Sequence, residues 1–144
     1  MDSKLKENAK KKLKEGWIRS WMMIEVLAVT KETAKSSLEK HIGTMNREKK
    51  TIVFNKKFHD IKKIENPMQN IKEAYSHVVE LEVLTEDYET LVYLIMNYAP
   101  SSIEIVAPET IKMDMGEAQG ILNSVADMLH RFVASGKGNV VIRT

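Results

Sequence analysis

Cysteine is absent from this chain of 144 residues. Disulfides, thiolate metal sites and cysteine nucleophiles are thereby excluded, and a cytoplasmic setting is the one expected. No run approaches the roughly eighteen apolar residues needed to cross a bilayer, so no membrane partner is expected. The Lys-rich N-terminus leads into neither an apolar h-region nor a small-residue cleavage site, which argues against a secretory signal. Catalytic signatures are missing as well. There is no Gly-x-Ser-x-Gly elbow and no Gly-x-Gly-x-x-Gly turn. Gly136-Lys137-Gly138 lacks the upstream Gly and the following Ser or Thr of a phosphate loop, and it follows a helix rather than preceding one. His41, His59, His77 and His130 are scattered, with no i, i+4 pair for a helical zinc site. A non-enzyme without cofactor or metal is the expectation. No repeat of fixed period occurs, and no low-complexity tract beyond the N-terminal lysines.

What is present is ordinary in amount and unusual in distribution. Apolar residues make up 43% and charged residues 29%, the proportions of a globular domain, and the length suits one core. The net charge of +2 conceals a balance of +9 over residues 1–63 and −7 over residues 64–144. Such segregation points to a polyanionic partner for the basic half, or to two halves that meet.

The stretch from Tyr75 to Pro108 organises the chain. Tyr75 to Leu84 alternates apolar and polar residues, as a strand with one buried face does. Thr85 is a candidate N-cap for a helix with Glu86, Asp87 and Glu89 in its first turn. Tyr88, Leu91, Leu94, Ile95 and Tyr98 recur at helical spacing, Pro100 stops the pattern, and Ile103 to Val106 reads as a strand. Upstream, a strand is expected over Trp21 to Val29, then a helix capped by Thr30 with Ala34, Leu38, Ile42 and Met45 on one side. Thr51 to Phe58 has strand character, with Ile52, Phe54 and Phe58 in one phase. Glu65 to Asn70 is the strongest turn signal. A last helix begins at Asp114-Met115-Gly116-Glu117, which has the form of a capping box. It carries Ala118, Ile121, Leu122, Val125, Met128, Leu129, Phe132 and Val133 on a broad apolar face and ends at Gly136. Val140 to Ile142 is a candidate short strand.

The element order is thus β-α-β-β-α-β plus a helix, an α+β chain of ferredoxin-like, split βαβ type with an antiparallel sheet. The expected division is a basic helical arm over 1–16, one domain over 17–136 and a tail over 137–144. With Ile24, Val26, Val79, Leu81, Ile103 and Ile105 turned to the helices, the opposite sheet face carries Glu25, Glu80, Glu82 and Glu104 among Met23, Leu27, Val29, Val78, Leu84 and Val106. A half-apolar face needs a cover. The C-terminal helix, from this chain or a partner, is expected to supply it, with Lys112, Arg131 and the N-terminal lysines pairing the carboxylates. The candidate interface is therefore Glu25, Leu27, Glu80, Glu82, Glu104, Val125, Leu129 and Phe132. A candidate anion or nucleic-acid surface comprises Lys10, Lys11, Lys12, Arg47, Lys49, Lys50, Lys56, Lys57, Lys62 and Lys63. Lysines on an edge strand also guard against aggregation, and carboxylates where base-stacking aromatics would be needed exclude sheet-face RNA recognition. The leading expectation is a homo-oligomeric module for assembly or small-ligand sensing, like the ACT domains in architecture alone. The alternative is a protein that binds the nucleic-acid phosphate backbone through its basic arm and residues 47–63.

Overall fold

The computed structural model describes residues 3–136. Its elements are α1 (Ser3–Lys14), β1 (Ile18–Ala28), α2 (Lys31–Asn46), β2 (Thr51–Phe58), β3 (Lys62–Met68), β4 (Ile71–Thr85), α3 (Tyr88–Tyr98), β5 (Ser102–Ala107) and α4 (Met115–Ala134). The expected strand over residues 140–142 lies outside the described residues. The protein is α+β, and its described residues form a five-strand antiparallel sheet and four helices. Its path is β2-β4-β1-β5, and β3 also pairs with β4.

The inner strands follow from their patterns. Along β1, Ile18, Ser20, Met22 and Ile24 are buried and lie opposite Thr85, Val83, Leu81 and Val79 of β4. The strand starts three residues before the expected Trp21. Arg19 and Ser20 break the apolar pattern, yet Ser20 is wholly buried, its hydroxyl near the Val83 carbonyl. Helix α2 begins as its cap dictates, the Thr30 side chain accepting from the Thr33 amide at 3.1 Å. Ala34, Leu38, Ile42 and Met45 are all buried against the sheet. With Leu91, Leu94 and Tyr98 of α3 they close the main core on one sheet face.

Three differences from the sequence pattern have local causes. The turn expected over 65–70 is mostly strand, so the described residues include a strand, β3, that the pattern does not suggest. β2 and β3 both run antiparallel to the 15-residue β4, forming one interrupted edge strand. Only Gln69 and Asn70 turn, and Asn66 and Asn70 take positive φ, which asparagine tolerates. Pro67 sits beside a register shift on that edge, where a missing N–H costs no ladder bond. Secondly, Thr85 ends β4 instead of capping α3. The cap is Asp87, whose carboxylate accepts from the Thr90 amide at 2.8 Å. Thirdly, a bulge between Val53 and Asn55 breaks the phase shared by Ile52, Phe54 and Phe58. Phe58 lies opposite core Val79 and near the His77 ring, whereas Phe54 is buried beneath α1. His77 itself is buried, and its Nδ1 has no hydrogen-bond partner among the described residues.

The mixed sheet face is covered at one end by α1, not by α4. Ala9, Phe54 and Leu84 are buried there, with Leu13, Trp17 and Ile52 packed around them. Lys12 Nζ stands 4.8 Å above the Trp17 ring, and the Arg19 guanidinium lies 5.5 Å from that of Phe54. Helix α4 lies instead on the helical side, against α3.

Candidate assembly surface

Strand β5 is an edge of the sheet, and among the described residues it pairs with β1 alone. Its alternation sends Ile103 and Ile105 to the helical side, yet each remains about two-fifths exposed (40% and 41%). The cause is the placement of α4. That helix starts at Asp114, which accepts from the Glu117 amide at 2.8 Å. Glu117 does not complete the expected capping box. Its carboxylate accepts instead from the backbone amides of Tyr88 and Glu89, at 3.1 and 3.2 Å. These are unpaired donors at the positive end of the α3 dipole. A carboxylate thus fastens the start of α4 to the start of α3 and leaves a groove between helix and strand. The groove measures about 590 Å³ and is lined by Tyr88, Leu91, Val92, Ile95, Met96, Ile103, Ile105 and Val125.

Helix α4 contains no buried residue over its twenty positions. Ile121, Val125 and Met128 are half-buried, but Met115, Leu122, Leu129 and Phe132 are 85%, 64%, 54% and 48% exposed. Met115, Leu122 and Leu129 are seven residues apart, as are Ala118, Val125 and Phe132. That is the a/d spacing of a helix built to pair with another helix. The broad apolar face was legible in the sequence; that Met115, Leu122, Leu129 and Phe132 on it would stand exposed was not.

The other candidate residues fall elsewhere. Glu25, Leu27, Glu80, Glu82 and Glu104 sit on the opposite sheet face from Val125, Leu129 and Phe132, so the candidate interface divides into two surfaces. The carboxylates find partners within the sheet. Glu82 contacts the Arg19 guanidinium and accepts from Asn55 Nδ2 at 2.9 Å. Burial pushes its pKa up, but Asn55 and Arg19 outweigh burial and hold it below the usual value. Glu80 lies 2.7 Å from His59 Nε2, and that hydrogen bond holds its carboxyl low. Glu25 accepts from the Ser76 hydroxyl. Arg131, expected on these carboxylates, pairs with Asp127 of its own helix at 3.1 Å. Among the described residues no three His, Asp or Glu side chains converge as metal ligands.

The cationic residues lie on α1, along the β2–β3 edge and in the turn before β2. Lys10, Lys11 and Lys12 ride on α1, and Lys56 and Lys57 lie on edge strand β2. Lys62 and Lys63 lie on β3, where Lys63 pairs with Glu73 at 2.9 Å and its pKa is raised by that hydrogen bond. Arg47, Lys49 and Lys50 border a separate groove of about 520 Å³ with Glu48, Tyr93 and Ile121. Lys50 also reaches Asp87 at 3.5 Å. No described helix is long and apolar enough to cross a membrane.

Comparison with curated proteins and with solved structures yields no match. A family model does match, over residues 19–144, a span that holds all of the sheet but Ile18, together with α2, α3 and α4. The chain that carries this sheet edge and its uncovered helix belongs to the MJ0538 family.

Proposed function

We propose that this protein is a non-enzymatic homo-oligomeric module that assembles through the face formed by β5, α3 and α4. One observation carries the proposal: α4 buries no residue, while four large apolar side chains along it stand about half or more exposed. Exposed apolar patches of this kind mark interaction surfaces, and a heptad stripe is self-complementary. With β3 taken as an extension of the β2 edge, the strand order fits the ferredoxin-like arrangement, residues 17–136 forming the domain and 1–16 its basic arm. Absence of cysteine suits work in the cytoplasm. The apolar groove between α4 and β5 gives the module a place for a small apolar ligand, which is the form ligand sensing takes here. Phosphate-backbone binding through residues 47–63 and the arm draws less support, because Lys12, Lys50 and Lys63 already pair with carboxylates.

Sedimentation velocity of the full-length protein tests the assembly. A homo-oligomer is expected for the parent and a monomer for Leu122→Lys/Leu129→Lys, with unchanged thermal stability per monomer because neither side chain is buried. A parent that remains monomeric across concentrations refutes the proposal. Binding of duplex DNA or RNA that falls steeply with salt would favour the nucleic-acid alternative.

A further inference from the structure

The two edges of the sheet are built differently. The β2–β3 edge bears Lys56, Lys57, Lys62 and Lys63, charges of the kind that deter another strand from adding. The β5 edge, Ser102-Ile103-Glu104-Ile105-Val106-Ala107, has one charge and no proline. Its Ile103 and Ile105 floor the groove beneath α4. An unguarded apolar edge beside an uncovered apolar helix is what an edge-to-edge joint requires.

Given assembly through this face, on which the joint depends, we propose that β5 pairs antiparallel with β5 of a second copy about a twofold axis normal to the sheet. The two five-strand sheets become one of ten strands. Such an axis keeps both helical layers on the same side, so residues of like parity stand opposite one another. Two registers are then central. Centring on Glu104 sets two carboxylates face to face, which is destabilising. Centring on Ile105 sets Ile105 against the partner's Ile105, Glu104 against the partner's Val106, and Ile103 against the partner's Ala107. The second register is the one proposed. The same axis runs the two α4 helices antiparallel above the joint, so that each heptad stripe meets its copy.

The natural lack of cysteine makes the test direct, since every thiol present is an introduced one. Full-length Ile105→Cys and Ile103→Cys are oxidised under mild conditions and run without reductant, beside native mass spectrometry of the parent. Directly opposed strand residues have Cα atoms about 4.5–5.5 Å apart, within disulfide range. In this register position 103 of one copy stands four residues along the strand from position 103 of the other, roughly 14 Å away. Most of the Ile105→Cys chain is expected as a covalent dimer, and little of Ile103→Cys. Should Ile105→Cys fail to fold, equal parts of Glu104→Cys and Val106→Cys read the same register from exposed positions: the mixed dimer links here, whereas Glu104→Cys links to itself in the register centred on Glu104. A dimeric parent in which none of Ile103→Cys, Glu104→Cys and Ile105→Cys links to itself overturns the strand joint while leaving assembly through α4 standing. Linkage in Ile103→Cys without linkage in Ile105→Cys overturns the register. A monomeric parent overturns both joint and assembly.

Discussion

Replacing Thr85 with valine should make this protein more stable. Thr85 is the last residue of β4, opposite Ile18 on one side and Thr51 on the other, and is wholly buried. Its Oγ1 has no hydrogen-bond partner among the described residues. A buried hydroxyl without a partner costs about 1–3 kcal/mol. Valine keeps the β-branched shape and suits a strand, so the substitution removes the penalty and opens no cavity. Taking the lower end of that range, Thr85→Val is expected to gain about 1 kcal/mol, or roughly 3 °C in Tm for a chain of this size. Urea unfolding followed by circular dichroism would register a higher midpoint at unchanged slope. The sign is the decisive feature. If Thr85 capped α3, as its sequence context suggests, its loss would cost about 1 kcal/mol instead. A Thr85→Val protein less stable than its parent refutes the unpaired hydroxyl.

Three further outcomes are expected. Asp87→Ala removes the true cap of α3 and should lower stability by about 1 kcal/mol in the same urea assay; no change would mean that Glu117 suffices for the exposed amides. Burial raises the pKa of Asp87, but the Thr90 hydrogen bonds and Lys50 outweigh it and hold the group low, as Asn55 and Arg19 do for Glu82. Their folded values lie below their unfolded ones, so their stabilisation is full above the ordinary carboxylate range and is lost as pH falls through the lower folded values. The urea midpoint should decline as pH falls below about 5, less steeply in Glu82→Gln; an identical profile in that variant would refute the Glu82 contribution. Phe54→Ala should release α1, at a cost near the low end of the 3–5 kcal/mol range for buried phenylalanine, because few residues pack around it. Hydrogen exchange should then lose protection in residues 3–14 and keep it in α2, and retained protection in α1 would refute the docking.

Much of the fold was legible because period and capping are local. The 3.6-residue stripe from Ala34 to Met45, the alternation before Leu84, the cap at Thr30 and the start at Asp114 each follow from a few neighbouring side chains. Errors arose where a local signal had two uses. Asn66, Pro67 and Asn70 signal a turn, yet an edge strand can absorb most of them as a bulge. Thr85 and Asp87 both qualify as caps, and choosing between them depends on how far β4 runs. Glu117 can reach back to its own helix start or across to the amides of α3, and only the second helix decides.

The sequence by itself determined the α+β character, the alternating strands, the amphipathic helices and the broad apolar face of α4. Chain-local sterics and periodicity suffice for those. Which sheet face α1 covers, which partner each carboxylate of the mixed face takes, and the exposure of the β5 edge were decided only by tertiary structure. Those outcomes depend on contacts between residues dozens of positions apart, such as Arg19 with Glu82 and Glu117 with Tyr88. A side chain's period states which face it shares with its neighbours, and only the packed chain determines what, if anything, that face meets.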